Sequence, residues 1–275
     1  MEGNECYKFS TIKNYLLKTG APPIRVAVDV GCNLGEVTAM MREYFPGALV
    51  FAFEPVDEYY LRACRRLSDD PMVKVFPAAV TAAHKFADDV GEQPRASPAA
   101  LRIFRALAAS GPGWVGGSQI LPEQEEIDSD RYVRLDAEVA TITLDEVVDA
   151  VCALTGAAQI DYLKMDCEGC ENSALGCARP ETLRRIRYVS GEYHDISRFY
   201  GMVKCRLSRS HRVNLVGDYW GGFFAERRDL SPALLEDDPH GTLDVPDACD
   251  GGQARFHRFR EHYVFPEERK SHGLD

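Results

Sequence analysis

Apolar residues in this chain gather in short blocks of four to six, separated by stretches of mixed character. Val26-Ala27-Val28-Asp29-Val30, Leu49-Val50-Phe51-Ala52-Phe53, Val73-Lys74-Val75-Phe76 and Ile160-Asp161-Tyr162-Leu163-Lys164-Met165 are too short for helices and suit strands buried on both faces. The pattern predicts strands at about 24–30, 49–54, 73–76, 139–142, 160–165 and 188–194, with closing strands at 212–216 and 222–226. Helices are expected at 35–45, 56–67, 144–154 and 195–209, with a short helical region after 171. Tyr7, Ile12, Tyr15, Leu16 and Leu17 mark a leading helix within 1–23, ended by Gly20 and Pro22-Pro23, that caps the core. Strands alternating with helices indicate an α/β fold on a doubly wound sheet.

The boundary between the first strand and its helix is the most specific local signal. Asp29-Val30-Gly31-Cys32-Asn33-Leu34-Gly35 joins a strand end to a glycine-punctuated turn, the arrangement that brings backbone N–H groups to a nucleotide-like ligand. Gly31 permits the turn, Gly35 lets the helix approach the strand, and Asp29 is expected within reach of the ligand. The spacing is G-x-x-x-G, which disfavours a nicotinamide dinucleotide and fits S-adenosylmethionine (SAM) better. Glu54 ends the second strand, where an acid accepts hydrogen bonds from both ribose hydroxyls. Pro55 after it removes a donor and keeps Glu54 out of the helical region.

Two neighbouring strands also end in chemistry-bearing residues. Asp166-Cys167-Glu168-Gly169-Cys170-Glu171 is a sharp acidic turn, and Glu192-Tyr193-His194 ends the strand after it. Open α/β sheets bind ligands at this edge.

Composition changes the picture little. The chain has 275 residues and a net charge of −11, from 43 acids against 32 bases, which argues against nucleic acid as the principal partner. No apolar run reaches the length of a membrane span, and the acidic N-terminus is unlike a secretory signal. Nine scattered cysteines do not form a disulfide framework, so reduced thiols and a cytoplasmic location are expected. Cys167-x-x-Cys170 has the spacing of a redox or zinc half-site, but no second pair completes a tetrahedral site. Small residues flanking a tight turn are the simpler reading.

Between about 82 and 137, Pro and Gly interrupt short apolar stretches, and 98–110 reads as an amphipathic helix, with Trp114 beyond it. A lid-like insertion in one α/β domain over 24–228 accounts for so long an excursion. The tail, 229–275, has weak periodicity, a short helix at 255–263 and no assignable role; a homodimer is one use for it.

The chain resembles the FkbM family of SAM-dependent methyltransferases. The resemblance rests on Asp29–Gly35, Phe53-Glu54-Pro55, Thr143-Leu144-Asp145-Glu146, Leu163-Lys164-Met165-Asp166-Cys167-Glu168-Gly169-Cys170-Glu171 and Glu192-Tyr193-His194, with a weaker match at Gly116-Gly117-Ser118. It implies a Rossmann-like class I methyltransferase fold, a seven-stranded mostly parallel sheet with helices on both faces. It also implies that Asp29, Gly31, Asn33 and Gly35 line the methionine and ribose side of SAM, with Glu54 on the ribose. Pro77-Ala78-Ala79-Val80 offers no acid to the adenine. Family members are associated with O-methylation of sugars, polyketides and related natural products, so the expected partner is a small hydroxylated acceptor.

Methylation of an alcohol needs the acceptor oxygen held near the methyl carbon and its proton removed. His194 is the expected general base, and Asp166, Glu168 and Glu192 are expected to position the acceptor, with Asp166 also beside the cofactor. The same carboxylates could instead hold a divalent cation such as Mg²⁺, a reading not favoured, or Glu168 or Glu171 could cap the next helix. Lys164 is expected to pair with one of these acids. N-methylation of an amine or amide and a non-catalytic SAM-binding protein are the rival functions.

Overall fold

The computed structural model describes residues 2–82, 102–106, 119–121, 132–135, 139–194, 196–217 and 221–230. Helix Glu2–Thr19 (α1) leads into strand Val26–Val30 (β1), then Glu36–Tyr44 (α2), Leu49–Phe53 (β2), Asp57–Arg66 (α3), Val73–Phe76 (β3) and Ala79–Thr81 (β4). Three short strands follow, Arg102–Ala106 (β5), Gln119–Leu121 (β6) and Tyr132–Leu135 (β7). The chain resumes with Thr141–Thr143 (β8), Leu144–Thr155 (α4), Ile160–Met165 (β9), Glu171–Cys177 (α5), Pro180–Arg184 (α6) and Ile186–Tyr193 (β10). Helix Ile196–Cys205 (α7) and the strands His211–Gly217 (β11) and Gly221–Arg227 (β12) close the fold.

Seven strands form one sheet in the order β11-β12-β10-β9-β1-β2-β3. Only β12 runs against the others, pairing antiparallel with both β10 and β11. Alternation of side chains across the pleat divides the core into two layers. Val26, Val28 and Val30 pack with Leu163 and Met165 against Val147 and Val151 of α4 and Phe199 and Val203 of α7. On the other face Ala27 and Tyr162 meet Phe9, Ile12 and Tyr15 of α1 and Met41 of α2. The Phe9 ring lies 5.7 Å from Tyr162 and 5.9 Å from Phe45, both edge-on. The leading helix thus covers one sheet face.

The chain leaves β1 toward β2 and β3 on one side and later places β9 and β10 on the other. The strand order reverses between β1 and β9, which opens a crevice at their C-terminal ends. Asp29 lies near the end of β1, and the glycine turn, Glu54, Asp166 and His194 follow strands that end there.

Two expectations change. The expected strand at 139–142 is β8, which pairs in parallel with β4 in a separate two-stranded sheet, Val80 opposite Ile142. The helix expected at 98–110 is contradicted by β5, which pairs antiparallel with both β6 and β7. Ile103 and Phe104 suit a strand as well as a helix, and cross-strand partners 15 or more residues away decide between them. The rest of the proposed lid, Gly116-Gly117-Ser118 and the tail beyond 230 lie outside the described residues.

Candidate active site

The glycine turn is built by close backbone approach. Gly31 has φ +75°, and a Cβ there would stand 1.9 Å from the carbonyl oxygen of Asp166, so the first turn and the acidic turn touch at this point. Gly35 has φ +80°, and a Cβ there would press on Leu67 and Ala63 of the α3 region. The N–H groups of Gly31 and Cys32 both donate to the Phe53 carbonyl, at 3.0 and 3.1 Å, and Gly35 donates to Cys32 at 2.8 Å. Asn33, at φ +49°, donates its N–H to Glu54 Oε2 at 2.9 Å. These four donors are used inside the fold instead of facing a ligand, contrary to the expectation for this turn. Dinucleotide sites need such donors for a pyrophosphate; SAM carries no phosphate and does not.

Glu54 stands where expected. Its Oε1 accepts from Val56 N–H at 2.9 Å, and burial pushes its carboxyl up to about 7 against the opposing N–H bonds of Val56 and Asn33. Each oxygen of a carboxylate has capacity for a second donor. A 1,2-diol offers two, so Glu54 and the adjoining Pro55 bend fit the ribose of SAM. Asp29 differs from expectation. It is fully buried, accepting from Thr38 Oγ1 at 2.6 Å and lying 3.2 Å from Lys164 Nζ. Lys164 also donates to the Gly31 carbonyl at 2.9 Å and lies 3.9 Å from Asp166 Oδ2. Asp29 therefore shapes the turn from inside, and the pairing expected of Lys164 is present.

The acidic turn wraps around His194. Glu168 has φ +56° and Gly169 φ +109°, a left-handed pair that folds the chain back on itself. Glu171, fully buried, accepts the N–H groups of Cys167 at 2.8 Å and Gly169 at 2.9 Å. Its carboxylate lies 3.4 Å from His194 Nδ1, while Glu168 Oε2 lies 3.0 Å from Nε2 and Asp166 Oδ1 4.0 Å from it. Burial alone would lower the His194 value, but the carboxylates of Glu168 and Glu171 carry it up to about 11. That direction favours the protonated imidazole. Burial lifts Asp166 to about 7; Lys164 opposes this, while Glu192, Glu168 and Glu171 add to it.

This changes the division of labour read from the sequence. A histidine protonated between two carboxylates has no lone pair for a substrate proton, so it is not the resting general base. Asp166, half ionised near neutrality, is the better-matched acceptor. Glu171 entered the sequence reading as a possible helix cap. Its role as a His194 partner follows from burial, which its position at the start of a helix does not reveal.

Asp166, Glu192 and His194 each offer a ligand atom within 4.8 Å of the others. The two nitrogens of His194 also face Glu168 and Glu171, so the ring is shared among several acids of this cluster. Thr143 and Glu146 form a reciprocal capping box at the start of α4, and Asp145 accepts the Arg179 N–H at 3.0 Å. The Thr-Leu-Asp-Glu element is thus a helix start. The expectation of reduced thiols is corrected at one place: Cys167 and Cys170 are joined by a disulfide, their Cα atoms 5.5 Å apart across the acidic turn. The tight turn brings them within disulfide range, which spacing alone did not decide. Among the described residues, no helix is long and apolar enough to cross a membrane.

Comparison with known proteins agrees with this geometry. The Methyltransferase FkbM domain model matches residues 29–205, more than half of the chain and the whole span from the glycine turn through His194. The chain is 23% identical to 2-O-methyltransferase NoeI of Sinorhizobium fredii over 67% of its own length and 69% of that protein's. It is 28% identical over 63% of its length to AMB antimetabolite synthetase AmbE of Pseudomonas aeruginosa, of which the match covers 8%. Among solved structures it is similar to magnesium protoporphyrin IX methyltransferase ChlM of Synechocystis PCC 6803 with bound SAM. That likeness has a TM-score of 0.36 and 10% identity, over 81% of this chain and 79% of that one. With a seven-stranded sheet of class I methyltransferase order and the motif residues gathered at its switch point, the chain belongs to the FkbM family of SAM-dependent methyltransferases.

Proposed function

We propose that this enzyme methylates a hydroxyl oxygen on a small or medium-sized metabolite, a sugar or a polyketide-like natural product. The observation that carries this reading is a carboxyl group lifted to about 7, Asp166, at the sheet edge beside the glycine turn. An alcohol must lose its proton as the new bond to carbon forms, and a base matched to neutral pH serves that step. The 2-O-methyltransferase activity named for NoeI supports oxygen as the acceptor atom.

When bound, SAM supplies the methyl group on a sulfonium that leaves as a neutral thioether. Glu54 holds the ribose hydroxyls, and the backbone of Gly31 and Asn33 shapes the floor beneath them. Asp166 accepts the proton from the acceptor hydroxyl. His194, as an imidazolium, pairs with Glu168 and Glu171 and limits the negative charge around Asp166. Glu192 faces Asp166 from the neighbouring strand and keeps its affinity for the proton high.

The test is S-adenosylhomocysteine release, measured by mass spectrometry, over a panel of hydroxylated sugars, polyketides and matched amines. Turnover is expected with hydroxyl acceptors, and Asp166→Asn is expected to abolish it while calorimetric affinity for S-adenosylhomocysteine stays within about threefold. Turnover with the amines alone overturns the reading.

A further inference from the structure

The disulfide between Cys167 and Cys170 encloses Glu168 and Gly169, the two left-handed residues of the acidic turn. A non-glycine residue at φ +56° is held against its own preference, which requires constraint from outside the residue. Two constraints are present. Glu171 draws in the N–H groups of Cys167 and Gly169, and the sulfur bridge ties the ends of the turn together. The same turn sets how Glu168 and Glu171 meet His194, at 3.0 and 3.4 Å. Its other end touches the cofactor side, because a Cβ on Gly31 would stand 3.2 Å from Cys167 Cα. Cys167 is half-buried and Cys170 buried, so Cys167 is the more exposed residue of the bridge.

We propose that Cys167 and Cys170 are a redox site: the bridged form holds the acidic turn in its working shape, and opening of the bridge by a dithiol reductant lowers turnover. The inference concerns control of the site proposed above and rests on that reading of the site. The chemistry balances with the dithiol as the only co-reactant. Its thiolate attacks Cys167 Sγ, the Cys167–Cys170 bond breaks, and Cys170 leaves as a thiolate that takes a proton from water. The second thiol of the reductant then attacks its own sulfur in the mixed disulfide and releases Cys167. Two cysteines gain hydrogen, and the reductant ends as a disulfide. Without the bridge, Glu168 is free to leave the left-handed region and to withdraw from His194.

Two readouts are independent of turnover. On the full-length chain incubated with glutathione disulfide, alkylation and peptide mapping are expected to leave Cys167 and Cys170 unlabelled and linked, and dithiothreitol to make both reactive. The His194 imidazole carbon resonance is expected to report the protonated ring across neutral pH in the bridged form and to shift on reduction. With an active acceptor in hand, reduction is expected to lower kcat about tenfold or more, as small misplacements of catalytic groups do. Affinity for S-adenosylhomocysteine is expected to hold within about threefold. The Cys167→Ser/Cys170→Ser double variant is expected to resemble the reduced enzyme and to ignore dithiothreitol. Full labelling of both cysteines after oxidation overturns the proposal. So does a His194 resonance that reduction leaves unmoved, or a double variant that still responds. Failure to find any hydroxyl acceptor overturns the proposed function instead, since labelling and resonance are read without one.

Discussion

Asp29 and Lys164 sit directly opposite one another on adjacent parallel strands, β1 and β9, and their side chains meet 3.2 Å apart with almost no exposure to water. The pair joins the glycine turn to the acidic turn, because Lys164 also reaches the Gly31 carbonyl and Asp166. Removing one partner of a buried pair leaves an uncompensated charge and costs about 3–5 kcal/mol. Lys164→Met is expected to lose stability of that order in denaturant unfolding. It is also expected to raise the pH at which turnover reaches half its maximum, because Lys164 holds the Asp166 value down. A variant with wild-type stability and pH profile would contradict both roles.

Asp166 must be ionised to accept a proton. With its value near 7, kcat/KM is expected to rise with pH through neutrality and to level off above it. The His194 imidazolium adds no descending limb in the accessible range, since its value is raised to about 11. A profile that falls between pH 7 and 8 would assign the base elsewhere.

Glu54 is raised to about 7 by burial, and the hydroxyl donors of a ribose favour its ionised form. Binding of S-adenosylhomocysteine at neutral pH is therefore expected to release protons, visible as a dependence of the calorimetric heat on the buffer. Glu54→Gln is expected to weaken binding roughly 10- to 100-fold, in line with about 1.5–3 kcal/mol for hydrogen bonds to a charged group, and to abolish the release. The folded state also holds this proton where the unfolded chain, with an ordinary Glu value, has lost it. Stability from this group is thus lost as pH rises from about 4 toward 7, and Glu54→Gln is expected to flatten that part of the Tm profile.

Gly31 and Gly156 separate conformation from space. Both have left-handed backbones, at φ +75° and φ +67°, but a Cβ at Gly156 meets nothing within 4 Å, whereas at Gly31 it meets the Asp166 carbonyl at 1.9 Å. Gly156→Ala is expected to cost about 1–2 kcal/mol. Gly31→Ala carries the same conformational cost plus a backbone clash, so it is expected to be far less stable and to lose cofactor binding. Equal loss in the two would remove Gly31 from its contact with the acidic turn.

Because the ring nitrogens of His194 face Glu168 and Glu171, turnover is expected to survive chelation. Activity after dialysis against EDTA should stay within about twofold of the starting value, and restoration of lost activity by Mg²⁺ would reinstate a cation in this cluster.

Elements with strong apolar patterning were legible in the sequence: β2, β3 and β9 fall where Leu49, Val73 and Ile160 begin their runs. The position of Glu54 just past β2 was legible because the apolar run Leu49–Phe53 stops at Glu54-Pro55. The inward turn of Asp29 was not, since its partners Thr38 and Lys164 lie 9 and 135 positions away, and no local pattern carries that pairing. His194 was placed correctly at a strand end, but its charge depends on Glu168 and Glu171 folding back around it. The fate of 102–106 turned on pairing with distant strands, which outweighs local periodicity in a segment so short.

The inward commitment of the glycine turn's N–H groups has a consequence for the kind of ligand this turn suits. Adenine nucleotides share the adenosine of SAM, but their phosphates meet no row of waiting donors at Gly31, Cys32, Asn33 and Gly35. A pyrophosphate placed against these four N–H groups would find each of them already donating within the fold. A ligand without phosphates is therefore expected to lose nothing at this turn, where a dinucleotide would miss the donors it needs.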